Sequence, residues 1–457
     1  MKNAVANYIE KLQQLFSTAN MRAIILMLFG VQAVALVFSM PFTTPPDEQN
    51  NISFIQYYST HSVGPIFDHQ TPTYYLGDKT REVDYLYHYS MSLLKRVLPF
   101  SDTVELYIMR MLTVLTALLA FIAFAALWRH LGVKDGAINT GLLVLTNLPM
   151  VLMLSAAINN DAMVWLLVGV SGVLVVRLLK NVRRIDMLLL ANVVVIGGLI
   201  KRTFLPLAAL GGFFLLYLLV RHWRSLVGQL RKYNTAVVAL LLVFLVGAGL
   251  FTERIGGNIS HYGTIQPSCE MVQGEVPCKV FWASVRRDVL LKQPSGEQKN
   301  LIEFSHAWLQ ESVTNVFDVQ TQFWRHEVMP PKWVTPFMLT ILFVGLGYGV
   351  WRETRSTNAD KKMARWRLAA IAVGVYVFIY QLITNYIIFQ NYKVFGLALN
   401  GRYILPGAIL LTGLCCYYWG NLLSKKLAFV LASTVVVLTI ACTGITMMIR
   451  NPQLFGL

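Results

Sequence analysis

The residues best suited to chemistry stand in a turn near the beginning of the chain, Thr43-Thr44-Pro45-Pro46-Asp47-Glu48-Gln49. Two adjacent carboxylates follow two prolines whose rings fix the backbone just ahead of them. Such a pair has two uses. In the first turn of a helix it offsets the positive end of the helix dipole, and beside a substrate hydroxyl a carboxylate accepts the proton as a general base. Cations that could hold an anionic partner lie far away in sequence. Lys201 and Arg202 fall in the short run Gly197-Gly198-Leu199-Ile200-Lys201-Arg202-Thr203, and Arg402 falls in Asn400-Gly401-Arg402-Tyr403-Ile404-Leu405-Pro406. An arginine at a helix start opposes the dipole, so it needs an anion such as phosphate or carboxylate more than one at a helix end does. Lys201 and Arg202 either hold an anionic ligand such as a lipid phosphate or snorkel toward ordinary headgroups.

Further polar groups accompany these. Asp161 ends the run Ser155-Ala156-Ala157-Ile158-Asn159-Asn160-Asp161, where it either caps the next helix or faces a substrate. The segment His69-Gln70-Thr71-Pro72-Thr73-Tyr74-Tyr75 is aromatic and broken by proline. Its tyrosines suit an interfacial belt or a ligand contact. No HExxH pattern or paired Cys-x-x-Cys motif is present. Nor is there a phosphate-cradling glycine loop, which argues against direct use of a nucleotide.

The elements that carry these residues are apolar. With 56% hydrophobic and 14% charged residues in 457 and a mean hydropathy of +0.54, the chain is an integral membrane protein rather than a soluble globule. Eleven apolar stretches are long enough, or nearly so, to cross a hydrocarbon core of about 30 Å. They run over 22–40, 103–127, 137–155, 161–179, 185–200, 203–220, 235–251, 335–351, 367–388, 402–420 and 427–448. The first lacks a small-residue cleavage site and reads as an anchor. The expected fold is an all-α polytopic membrane protein with about eleven transmembrane helices in one domain over 1–448.

Charge then orients the chain. Loops on the N-terminal side carry 21 basic and 5 acidic residues, which equals the whole net charge of +16, and the opposite side balances to zero. The positive-inside rule therefore puts the N-terminus in the cytoplasm and Asp47-Glu48 on the outer side. Basic cytoplasmic loops facing an anionic leaflet account for the charge without nucleic acid. Two outer segments, 41–102 and 252–334, are long. The first contains two amphipathic stretches, one with Ile52, Ile55 and Tyr58, the other with Leu86, Tyr89, Leu93, Leu94 and Val97, expected as helices at the membrane surface. In the second, Phe304, Trp308, Val313 and Phe317 predict another surface helix. Cys269 and Cys278 lie there in an oxidising compartment, as a disulfide pair would. Asn51 and Asn258 begin Asn-Ile-Ser sequons, and a glycan at Asn51 would obstruct the adjoining site, which favours a bacterial periplasm.

The Pro-Pro-Asp-Glu turn, the Gln70-Thr71-Pro72-Thr73-Tyr74-Tyr75 segment, the Asn159-Asn160-Asp161 turn and the Gly401-Arg402-Tyr403-x-x-Pro406 helix start, in this order, resemble the GT-C membrane glycosyltransferases. The likeness is nearest to their bacterial branch related to protein mannosyltransferases and the aminoarabinose transferase of lipid A. It spans most of the chain, although the family commonly has Pro-Pro-Leu-Tyr-Tyr where this chain has Thr71-Pro72-Thr73-Tyr74-Tyr75. The resemblance implies a polyprenyl-phosphate sugar donor and a glycan or lipid-linked acceptor hydroxyl meeting at the periplasmic face of the bacterial cytoplasmic membrane, with inversion at the anomeric carbon. It assigns Asp47 as base, with Glu48 as a second acid that orients the acceptor or a divalent metal, which some relatives use and others do not. Lys201, Arg202 and Arg402 would hold the donor phosphate, and His69, Gln70, Tyr74, Tyr75, Asp161 and Tyr403 would contact substrate. An O-antigen-type polymerase or ligase and a lipid or glycan transporter without chemistry are the alternatives.

Overall fold

The computed structural model describes residues 14–42, 47–60, 71–77, 81–98, 100–230, 235–281, 284–285, 288–289, 292, 299–317, 333–357, 361–392, 395 and 401–441. Among these, the regular elements are all helices, with no strand. The fold is that of an all-α polytopic membrane protein. The first apolar stretch forms α1 (Ala19–Ser39), entered through Thr18, whose hydroxyl accepts the Met21 N–H at 3.1 Å. The two amphipathic stretches within 41–102 are helices α2 (Glu48–Thr60) and α3 (Tyr85–Val97). On α3, Tyr85, His88 and Ser92 are buried, whereas Leu93 and Val97 are exposed.

Next come α4 (Asp102–His130), the pair α5 (Asp135–Thr146) and α6 (Pro149–Ser155), then α7 (Asp161–Lys180) and α8 (Arg184–Ile200). A 3-10 turn, Arg202–Phe204, leads into α9 (Leu205–Leu230), and α10 (Thr235–Phe251) continues through a π-helical turn, Thr252–Gly256, into α11 (Gly257–Tyr262). Two short helices, α12 (Cys269–Gln273) and α13 (Glu275–Cys278), are joined by a Cys269–Cys278 disulfide with a Cα–Cα distance of 5.8 Å. The chain then forms α14 (Leu301–Phe317), α15 (Val334–Thr354) and α16 (Lys361–Tyr392). A second 3-10 turn, Gly401–Ile404, opens α17 (Leu405–Leu422), and α18 (Lys425–Ala441) follows.

Each of the eleven apolar stretches is mainly helical over its described residues, yet length and apolarity qualify seven described helices as spans, or eight with the bent pair. Of the remaining three stretches, α8 and α18 each have only 17 described residues, and α15 does not qualify over its described residues, so the expected count of eleven is not confirmed. The stretch expected as one helix over 137–155 is instead α5 and α6, bent by 73° at Asn147–Leu148. Pro149 at the start of α6 supplies no N–H to continue α5, which explains the break. The predicted helix over Phe304 and Trp308 is α14, but it is packed rather than superficial: both side chains are buried, with Phe304 against Tyr386, Phe389 and Phe395.

Helix α7 lies closely along α4. A Cβ at Gly169 would stand 2.9 Å from that of Ala123, so only glycine permits this approach. Trp128 of α4 donates its indole N–H to the Leu410 carbonyl at 3.1 Å, and its ring fills the space that a Cβ at Gly413 would occupy. Phe29, Phe121 and Trp165 complete the same fully buried core. At one end of the bundle Arg367 holds Glu353 by two bonds of 2.7 and 2.8 Å and donates to the Leu131 carbonyl, tying the α15–α16 hairpin to the end of α4.

Candidate functional site

The acidic turn is organised from beneath by Glu48, the first residue of α2. Its side chain is fully buried and receives Arg110 of α4 in a bidentate pair, Nε to Oε1 at 2.8 Å and Nη2 to Oε2 at 2.6 Å. Oε1 also accepts the Ile158 N–H at 2.9 Å. Arg110, equally buried, spends its remaining protons on the carbonyls of Val37 at 3.0 Å, Met40 at 2.7 Å and Pro41 at 3.1 Å, with Phe42 over its face at 4.2 Å. One arginine thus joins the end of α1, the start of α2 and the first third of α4. Glu48, which the resemblance gives as a second acid orienting the acceptor or a metal, stands here as a dry, ion-paired carboxylate, a placement suited to anchoring the turn.

One turn later Asn51 completes the attachment. Its Nδ2 donates to the Ile158 carbonyl at 2.7 Å, so α2 grips both backbone polar groups of one residue in the α6–α7 connection. His88 of α3 joins in, with Nε2 at 2.9 Å from Asn51 Oδ1 and Nδ1 at 2.9 Å from the Asp84 carbonyl. Asn51 is buried with its amide N–H donated, and Asn258 is likewise buried, donating to the carbonyls of Arg81 and Ile265, so neither sequon asparagine is accessible in the folded chain.

Asp47 stands above this anchor in a left-handed conformation, φ +61°, the only non-glycine residue with positive φ among the described residues. That conformation costs an L-residue about 1 kcal/mol, with Asp among the residues that tolerate it best. Its carboxylate accepts a hydrogen bond from Arg402 Nη2, across 355 positions of sequence. The exposures differ sharply, at 41% for the Asp47 side chain and 4% for Arg402, so the carboxylate is the water-facing partner. Arg402 Nη2 also lies 3.2 Å from the Tyr403 hydroxyl.

Lys201 approaches the same tyrosine from the α8 end. Its ammonium is 5.7 Å from the centroid of the Tyr403 ring, against 5.1 Å for the Arg402 guanidinium. Lys201 Nζ donates to Asp161 Oδ1 at 2.6 Å and Asn160 Oδ1 at 2.8 Å, and the Asp161 N–H is received by Asn159 Oδ1 at 2.7 Å. Asp161 Oδ2 is buried without a protein hydrogen-bond partner. Asp47 just before α2, Asp161 at the start of α7, Lys201 in the α8–α9 connection and Arg402 in the 3-10 turn before α17 therefore form two ion pairs whose cations both lie within 6 Å of the Tyr403 ring. They gather the polar ends of these elements at one end of the bundle.

Arg202 is placed differently from Lys201. Its backbone N–H is held by Asp84 Oδ1 at 2.9 Å, while the residue itself is exposed. Burial pushes the Asp84 carboxyl above its ordinary value, outweighing Arg202 and Lys201, which pull it down. Tyr74 and Tyr75 sit on a separate exposed turn. There Thr73 N–H donates to the Leu76 carbonyl at 2.8 Å and the two rings meet edge to face at 4.9 Å. His69 and Gln70 lie outside the described residues, as do the two prolines before Asp47. Among the described residues no group of three or more His, Cys, Asp or Glu side chains could hold a metal ion.

The sequence did not mark Arg110 and His88 as site residues, and it marked Asn51 only as a sequon. Arg110 carried a signal, since a cation eight residues into an apolar span needs a buried partner. No protein-family model matches the chain, and no curated protein matches it.

Proposed function

We propose that this protein is a membrane glycosyltransferase that moves a sugar from a polyprenyl-phosphate donor to a hydroxyl of a glycan or lipid-linked acceptor at the periplasmic face of a bacterial cytoplasmic membrane. The observation that carries this reading is the meeting of Asp47 with Arg402, the residue types such a reaction requires at the two ends of one displacement. The acceptor oxygen attacks the anomeric carbon while the carbon–oxygen bond to the lipid phosphate breaks, its electron pair passing to the phosphate oxygen. The hydroxyl proton passes to the Asp47 carboxylate. The attack comes from the face opposite the leaving group, so configuration inverts.

Negative charge grows on the leaving phosphate, and fixed cations beside it lower the barrier. Arg402 and Lys201, both close to the Tyr403 ring, supply them, together with exposed Arg202. Asp161 holds Lys201 in place. Lys and Arg at this membrane face run against the positive-inside trend, which a bound lipid phosphate explains. Exposed Leu93 and Val97 give α3 an apolar side suited to the outer leaflet.

A transporter is the second reading, favoured by the bent pair α5–α6, since broken helices often line substrate paths. The bend itself is bordered by Thr146, Asn147 and Leu148, none of them charged. Incubating the purified protein with lipid extracts containing different polyprenyl-phosphate sugars separates the two. A transferase consumes one sugar lipid and releases polyprenyl phosphate; a transporter moves the lipid across a vesicle wall and leaves it chemically intact.

A further inference from the structure

The pairing of Asp47 with Arg402 has a consequence for the order of events. A general base must be free to take a proton, and a phosphate clamp must be free to hold a phosphate, yet here each occupies the other. The two are not equally accessible. With Arg402 almost covered and Asp47 well exposed, an anion arriving from solvent meets the carboxylate first and reaches the guanidinium by displacing it. The anchoring is asymmetric as well. Arg402 is fixed in a 3-10 turn at the root of α17, whereas Asp47 is a single residue of left-handed backbone above the Glu48–Arg110 pair. Relaxation of that residue is the small motion available.

We infer that Arg402 alternates between two anions, the Asp47 carboxylate in the empty enzyme and the phosphate of the lipid donor in the loaded one, so that donor binding is what releases the base. This rests on the transferase reading above and adds a regulation to that site: the donor binds before the acceptor can be activated, and the base is neutralised while no donor is present. An ion pair exchanged for another keeps the charge of the pocket balanced at each stage, which spares Arg402 an uncompensated buried state. A carboxylate competing with a ligand for one cation weakens that ligand's apparent affinity, and removing the competitor restores it.

The test is binding of undecaprenyl phosphate to the detergent-solubilised full chain, titrated for the natural protein, Asp47→Asn and Asp84→Asn, with thermal melting to verify folding. Asn tolerates the left-handed conformation as Asp does, so Asp47→Asn keeps the turn. Asp84 lies near Lys201 and Arg202 and controls for general repulsion between an acid and a phosphate. The expected result is that Asp47→Asn tightens binding at least about fivefold, the low end of usual coupling between sites, while Asp84→Asn changes it by less than about twofold. Unchanged or weaker binding by Asp47→Asn, or equal tightening by Asp84→Asn, overturns the exchange. Absence of binding by all three folded proteins overturns the lipid-phosphate reading itself, a different outcome from wild-type binding that Asp47→Asn leaves untouched.

Discussion

Replacing Glu48 by Gln isolates what the acidic turn is built on. The substitution keeps the shape of the side chain and leaves an oxygen for the Ile158 N–H, but removes the counter-charge of a guanidinium with no exposure to water. Breaking a buried pair from one side costs about 3–5 kcal/mol, because the remaining ion is left uncompensated. Arg110→Leu should cost more. It leaves Glu48 unpaired and also strips a donor from the carbonyls of Val37, Met40 and Pro41, each worth about 1–3 kcal/mol if left unsatisfied. The double variant Glu48→Gln, Arg110→Leu removes both charges and should be less destabilised than the sum of the two singles by about 3 kcal/mol. Unfolding by sodium dodecyl sulfate in mixed micelles, followed by tryptophan fluorescence, measures all three. If Glu48→Gln unfolds at the same detergent fraction as the natural protein while losing sugar transfer, the anchor reasoning fails and Glu48 is a reacting carboxyl.

Other perturbations bear on separate parts of the site. Arg402→Ala should weaken undecaprenyl phosphate binding by at least about tenfold, the loss of one charge-assisted contact; unchanged affinity removes Arg402 from the phosphate site. Asp84 has a folded-state carboxyl raised above its ordinary 3.8, so its contribution to stability is present below that value and is lost as pH rises through the raised one. Asp84→Asn, which can still accept the Arg202 N–H, should therefore melt at or above the natural protein at pH 7 and lose that advantage at pH 4. A lower melting temperature at pH 7 contradicts the sign. Reducing Cys269–Cys278, which closes a loop of sequence separation 9, removes about 2–3 kcal/mol of chain restriction from that segment. Limited proteolysis should cut the α12–α13 region first in Cys269→Ser, with the spanning helices unaffected.

The spanning helices were legible because a run of about 20 apolar residues has few other uses, and α1, α4, α7 and α16 lie where those runs placed them. The bend between α5 and α6 was written in Pro149, whose consequence a count of apolar residues passes over. At the site, individual residue types pointed to acid, base and phosphate clamp, and the structure brings Asp47, Asp161, Lys201, Arg402 and Tyr403 together. Their pairing was not legible, because ion pairs such as Asp47 with Arg402 or Glu48 with Arg110 join residues 355 and 62 positions apart. Only the folded chain creates them, by bringing the start of α2 beside Arg110 of α4 and beside the 3-10 turn that precedes α17. For the same reason the different fates of Asp47 and Glu48, neighbours of like chemistry, depend on which side of one turn faces Arg110.

Transfer itself is the most direct test of the site. Membranes containing the natural protein or Asp47→Asn, given the consumed polyprenyl-phosphate sugar in labelled form with its acceptor, should differ completely: label moves to the acceptor with the natural protein, and none moves with Asp47→Asn although the variant is folded and binds the lipid phosphate. A full transfer rate in Asp47→Asn would contradict the assignment of Asp47 as the base.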